Sequence, residues 1–125
     1  LQAAIGCAQL ERIDEIIESH SQIELNYKEH LSDVEIVNWQ KEFENSKKVV
    51  WLVALTISNG KRDEVITKLK ENNIDVRPFF YCLSEMPIYR EYSKENPVAK
   101  KISEMGINLP TLKNVDFNGV AKLIS

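Results

Sequence analysis

Residues 49–57, VVWLVALTI, form the longest apolar run of the chain. A membrane-spanning helix needs about 18 such residues, and this run has half that. It is rich in β-branched side chains and apolar throughout, so it reads as a buried central strand. With 125 residues one domain is expected, and a chain of that length buries roughly two-thirds of the surface its unfolded form exposes.

The flanking segments supply the layers around that strand. Residues 34–37 alternate weakly, like a short edge strand, and residues 40–48, QKEFENSKK, are a polar loop. Ser58, Asn59 and Gly60 make a turn that leads into a helix over residues 61–72. Val65, Ile66 and Leu69 are its inward face, and Asn72-Asn73 suits a left-handed ending. Residues 74–77 return as a strand that Pro78 should halt. Pro97 opens a helix that runs to Met105 and ends at Gly106. Residues 107–110 are briefly extended, and a last helix starts near Asn114 or Val115. The order predicts an α+β fold: a small, mostly antiparallel sheet with helices packed on one side.

Residues 1–30 read as one long helix. Leu10, Ile13, Ile17, His20, Ile23, Tyr27 and Leu31 recur at threes and fours as an apolar stripe. Its first turns, LQAAIGCAQL, present small residues that another backbone could approach closely. Thirty helical residues extend about 45 Å, whereas a compact domain of this length spans roughly 35–40 Å. The start of the helix is therefore expected to pack on something outside these residues. Leu1 has no signal-peptide pattern after it, and the last helix reaches Ser125 without a stop signal. Both ends read as interior to a longer chain.

Charge and composition narrow the function. The net charge is −3, which argues against nucleic acid as a partner. The pairs Lys47-Lys48 and Lys100-Lys101 read as solvated surface, and no membrane span is expected. Cys7 and Cys82 sit in apolar surroundings without CxxC spacing, which suits small buried side chains in a reducing compartment, the cytoplasm. His20 and His30 are ten residues apart, which is not metal-ligand spacing on one helix face. No metal site is expected. Ser84 lacks a nucleophile-elbow context, and the four glycines are too scattered for a phosphate loop. No residue is assigned a catalytic role.

One segment is unlike the rest. Residues 75–92, DVRPFFYCLSEMPIYREY, hold five of the eight Phe and Tyr residues and two of the four prolines. Arg77, Tyr81, Ser84, Glu85, Tyr89 and Arg90 are interleaved there with Phe79, Phe80, Leu83, Met86 and Ile88. Rings that wall an apolar slot around a few polar groups describe a small-molecule pocket. The same rings could instead seal one end of the core under a long loop.

Three stretches carry a family resemblance. LQAAIGCAQLERIDEII resembles the segment after the RMTN motif of the DegT/DnrJ/StrS family of sugar aminotransferases. DVRPFFYCLSEMPIY resembles that family's I-x-x-R-P-x-x-Y-P-L-H-x-x-P-x-Y stretch, and PVAKKISEMGINLPTL its C-terminal P-x-A and L-P stretch. They come in family order and cover nearly the whole chain. The RPFFY form is most like the perosamine synthetase branch.

The resemblance implies that residues 1–125 are the small C-terminal domain of a fold-type-I enzyme using pyridoxal 5′-phosphate, with residues 1–31 as the interdomain helix. Such enzymes transfer an amino group, usually from glutamate, to a nucleotide-linked keto sugar in surface-polysaccharide (O-antigen) biosynthesis. They are dimers whose Schiff-base lysine and phosphate-binding loop lie in a large N-terminal domain, so this chain alone is expected to be inactive and to bind no cofactor. Arg77, Tyr81, Ser84 and Tyr89 would be its substrate-side residues. Two departures stand out: Cys82 replaces a proline of the pattern, and Ser84 replaces its histidine. The alternative is a free-standing ferredoxin-like module that binds a small molecule.

Overall fold

A computed structural model describes residues 1–125. Four strands, β1 (Val37–Trp39), β2 (Val53–Ile57), β3 (Arg77–Pro78) and β4 (Gly106–Leu109), form one sheet in the order β1-β2-β4-β3. Every neighbouring pair is antiparallel. Five helices accompany them: α1 (Gln2–Leu10), α2 (Ile13–His30), α3 (Arg62–Glu71), α4 (Pro97–Met105) and α5 (Phe117–Ile124). This is the expected α+β class. The order ββαβαβα after the first two helices differs from the βαββαβ of a ferredoxin-like module.

The sheet has one apolar and one polar face because its strands alternate. Val53, Leu55 and Ile57 of β2 are buried, as are Ile107 and Leu109 of β4. They meet Ile23, Tyr27 and Leu31 of α2, Val65, Ile66 and Leu69 of α3, and Val120 and Ile124 of α5 in a single core. Each such side chain contributes about 1.5–3 kcal/mol through burial. Helices α2, α3 and α5 therefore share one side. Helix α4 lies over part of the other, where its Ile102 meets a pocket lined by Ala54 and Thr56.

Tyr27 joins the two halves of this core. Its ring is fully buried and packs edge-on against Phe117 at 4.9 Å. Its hydroxyl donates to the Pro110 carbonyl at 3.1 Å. Burial pushes the phenol pKa well up. Unfolded tyrosine ionises near pH 10, so the stabilisation is complete below about pH 10 and is lost as pH rises beyond it. Tyr27→Phe should cost about 1–2 kcal/mol at neutral pH, because the Pro110 carbonyl loses its partner. It should also flatten the alkaline arm of a stability–pH curve. An unchanged alkaline arm in chemical denaturation would contradict this assignment.

Several sequence expectations are met. Helix α3 ends on Asn73 in the left-handed region (φ 60°), and the Ile74 N–H returns to the Leu69 carbonyl at 3.0 Å. Helix α4 runs from Pro97 to Met105.

Others need correction. The single helix over residues 1–30 is two: Arg12 leaves helical geometry (φ −117°, ψ 17°) and separates α1 from α2. No residue of α1 is buried, so none of its turns gains core packing that would hold it in line with α2. Cys7 is exposed for the same reason; Cys82 is buried. The long apolar run is strand only from Val53. Its partner β4 runs out at Leu109, opposite Val53, and Pro110 follows. Residues 49–52 instead cross α2, where the Val50 carbonyl meets His20 Nδ1 at 3.0 Å. The edge strand begins at Val37 rather than residue 34. Pro78 does not halt β3 but belongs to it, paired with Ile107. On an edge strand its missing N–H leaves no neighbour unsatisfied. The last helix starts at Phe117, capped by Asp116, whose carboxylate accepts from the Gly119 N–H at 3.0 Å.

Lys48 is also misread as solvated surface. Its ammonium pairs with the buried carboxylate of Glu24, which Lys28 meets from the other side at 3.5 Å. Lys28 also reaches Glu42 at 3.3 Å and lies over the Trp39 ring. This cluster straps the loop before β2 to α2.

Candidate functional site

After β3 the chain leaves the sheet and makes two 3-10 turns, Leu83–Glu85 and Pro87–Tyr92. Prolines 78, 87 and 97 punctuate this stretch, so it forms no longer element. The core contains no residue from 77–106. Phe80, Tyr81, Leu83, Ile88 and Tyr92 are each more than 60% exposed. The rings therefore do not seal the core. Within residues 79–92 only Cys82 is buried, its Sγ 3.1 Å from Ser84 Oγ.

The four candidate residues do not share one cavity. Arg77 lies in a groove of ≈ 390 Å³ with Asp75, Trp51 and Phe80. Tyr81 and Ser84 lie in a second, of ≈ 470 Å³, which Phe79, Phe80 and Ile102 also line. Phe80 borders both. Tyr89 and Ser84 meet in a third, smaller hollow with Tyr92. Arg77 is 79% exposed, and its only charged partner is Asp75 at 3.7 Å. Its guanidinium fork is thus free to take a carboxylate or phosphate.

The strand register explains where Arg77 points. It pairs with Asn108, and Asn108 pairs with Ala54. Facing residues of paired strands lie on the same side of a sheet, so these three form a row on the face away from the core. The adjacent row is Asn38, Thr56 and Gly106. Phe79 donates its N–H to the Gly106 carbonyl at 3.0 Å, and its ring lies where a Cβ on Gly106 would be. Sequence reasoning overlooked this face. Its signal was the alternation in VNWQ, VALTI and INL, where Asn38, Gln40, Thr56 and Asn108 interrupt apolar residues.

The lysines are solvated or ion-paired. Ten of the twelve are exposed, and the two half-buried ones, Lys28 and Lys48, both bind Glu24. In the groove beside the 3-10 turns, Lys100 bonds to Glu85 at 2.7 Å, which raises its pKa; the charge of Glu104 adds to the effect. His20 and His30 each face a backbone carbonyl, of Val50 and Asn26. No helix is long and apolar enough to cross a membrane.

The model of the DegT/DnrJ/EryC1/StrS aminotransferase family matches residues 1–125. The chain is 34% identical over 114 residues to the GDP-perosamine synthase of Escherichia coli O157:H7, an overlap covering 90% of this chain and 31% of that protein. Against the GDP-perosamine synthase of Vibrio cholerae it is 34% identical over 116 residues, 89% of this chain and 31% of the relative. The chain thus spans about a third of the length of these curated relatives. Among solved structures, Helicobacter pylori PseC, an aminotransferase involved in pseudoaminic acid biosynthesis, superposes with a TM-score of 0.84 at 14% identity, over 98% of this chain and 35% of that one. The sugar aminotransferase CalS13 of Micromonospora echinospora gives 0.83 at 18% identity, over 97% and 33%. At these identities the structures establish the fold.

Proposed function

This chain belongs to the DegT/DnrJ/EryC1/StrS aminotransferase family, and from that premise we propose that it is the small C-terminal domain of a pyridoxal phosphate-dependent sugar aminotransferase. The enzyme would move an amino group from glutamate to a nucleotide-linked keto-deoxy sugar, for surface-polysaccharide biosynthesis in the cytoplasm, as a homodimer. The observation that carries this reading is the match to GDP-perosamine synthases across nine-tenths of the chain.

The cofactor supplies the chemistry of amino transfer when bound. The residues of this chain do not fit its seat. A lysine that forms a Schiff base needs an amine desolvated enough to be neutral, whereas the lysines here are exposed or ion-paired with carboxylates. The proposal therefore places the cofactor and its lysine on a large domain, and gives this chain the substrate side.

Arg77 would bind the anionic part of the substrate; Tyr81, Ser84 and Tyr89 would line the cleft. The exposed rings support this arrangement. Residues 79–92 leave several large apolar side chains in water, each forgoing about 1.5–3 kcal/mol of possible burial, and an interdomain cleft both covers such rings and accommodates charged groups among them.

The test is amino transfer from glutamate to a GDP-linked keto-deoxy sugar by the enzyme that carries this chain, with the amino-sugar product read by mass spectrometry. Failure to convert any nucleotide-linked keto sugar would end the proposal. Arg77→Ala should lower kcat/KM for the sugar nucleotide more than tenfold, the equivalent of about 1.4 kcal/mol, with thermal unfolding unchanged. Unaltered kinetics would return Arg77 to the ordinary surface.

A further inference from the structure

We infer that residues 80–95 form a flap over helix α4, held shut by the ion pair of Lys100 with Glu85, and that Glu104 is placed to receive the Lys100 cation when the flap opens. The flap and its latch belong to this chain and stand apart from the sugar-aminotransferase reading.

Three observations mark these residues as a weakly held part of the fold. Their backbone hydrogen bonds stay among themselves: Glu85 donates to Cys82, Met86 to Leu83, Tyr89 to Met86 and Ser93 to Arg90. The bond to the sheet is that of Phe79 to Gly106, at the base of the flap. Every residue from Pro87 to Ile102 is exposed, and within the flap only Cys82 is buried. Two hollows, of ≈ 470 Å³ and ≈ 360 Å³, lie where the flap meets α4, so little of that contact is packed. Segments with few buried apolar contacts and only local hydrogen bonds open well below the free energy of global unfolding.

Two contacts hold the flap down. Cys82 lines the larger hollow with Ala99, Ile102 and Ser103 of α4. Lys100 of α4 donates to Glu85 at 2.7 Å. Apart from the Asn96 amide on the Lys94 carbonyl, at the hinge, this is the flap's one polar side-chain tie to its surroundings. Both groups are about half exposed, so the pair is weak in itself; it matters because so little else opposes opening. The same ammonium is 4.0 Å from Glu104, one turn along α4. Residues four apart face each other on a helix, so Lys100 can pass wholly to Glu104 without moving its own backbone. Opening exchanges one carboxylate for another, and the cation is paired in both positions.

Tyr81, Ser84 and Tyr89 ride on the flap and leave α4 with it. Where they line the substrate cleft, as proposed above, the latch governs when that wall is complete; the flap itself needs no such role. Cys82 is its natural reporter. As the only buried side chain of the segment, its thiol becomes reachable when the flap swings away.

The test is the rate at which iodoacetamide, a neutral reagent, alkylates Cys82, read by mass spectrometry on this chain carrying Cys7→Ser to remove the exposed thiol. Cys82 should react about tenfold or more slowly in the folded chain than in urea. Lys100→Met releases the latch and should speed alkylation about two- to fivefold. Glu104→Gln removes the partner of the open position and should slow it about twofold. Both signs oppose the direct effect of charge on the thiol, since losing a cation lowers the thiolate fraction and losing an anion raises it. The double variant Lys100→Met/Glu104→Gln should match Lys100→Met, because Glu104 acts through Lys100. At about 1 M salt, where charges are screened beyond about 3 Å, the differences should vanish. Lys100 and Glu104 are exposed, so melting temperatures should hold in every variant. Equal rates across the variants, rates that follow the thiolate order, or a folded Cys82 as reactive as the unfolded one would each overturn the inference. That failure is separable from failure of the proposed function, which is read from amino transfer by the enzyme.

Discussion

Replacing Lys48 by methionine should lower the unfolding free energy by about 3 kcal/mol, the cost of stranding a buried carboxylate without its partner. Glu24 is 4% exposed, and its two cationic neighbours are Lys48 and Lys28. The Lys48 side chain is itself only 19% exposed, so solvent screens the pair little. Methionine keeps the length of the side chain and removes its charge. Lys28 remains at 3.5 Å and is shared with Glu42, which keeps the loss near the lower end of the usual range of about 3–5 kcal/mol. The double variant Glu24→Leu/Lys48→Met should recover most of the loss, because two apolar groups in the same space leave no charge unpaired. Urea denaturation of the two single variants and the double variant forms the cycle. Equal and additive losses would mean that the cluster is a surface ion pair worth less than about 1 kcal/mol.

Gly106→Val is the second large effect, with an expected loss of about 3 kcal/mol or more from overpacking. Its backbone is ordinary extended chain (φ −79°, ψ 143°), so glycine is not needed for conformation. It is needed for space: a Cβ there would enter the Phe79 ring and stand 2.7 Å from the Ile102 carbonyl. Neither neighbour moves cheaply, since Phe79 is tied to Gly106 by its backbone hydrogen bond and Ile102 lies within α4. Gly106→Ala should cost about 1–3 kcal/mol by the same mechanism. It should also tilt Phe79 and so disturb the pocket on the open face. A melting temperature equal to wild type for both variants would show that the Phe79 ring moves freely.

These two sites differ in how visible they are before folding. Gly106 was legible as the end of α4, because Pro97 and the helical spacing before it are local signals. Its contact with Phe79, twenty-seven positions earlier, was not. The Glu24–Lys48 pair was invisible for the same reason: nothing near either residue distinguishes it from an exposed charge. The candidate site divides in the same way. Arg77, Tyr81, Ser84 and Tyr89 stood out through composition and resemblance. Their distribution over three separate hollows, with Phe80 between the first two, depends on how the 3-10 turns fold back beside α4. The polar face built from Asn38, Thr56 and Asn108 had a sequence signal in its alternation, but the run at residues 49–57 masked it by looking uniformly apolar.

What the sequence by itself determined is local or compositional: the α+β class, helices α3 and α4, the left-handed turn at Asn73, and the ring-rich segment with its family motifs. Each depends on side chains within a turn or two of one another, where backbone sterics and short-range hydrogen bonds decide. Only the tertiary structure decided the rest. Pairing with β4 started β2 at Val53 and made room for Pro78 at the sheet edge. The lack of any core contact let the first helix break at Arg12. The same cross-strand register brought Arg77, Asn108 and Ala54 into one row, because a shift of a single residue in any strand would turn its side chains to the opposite face.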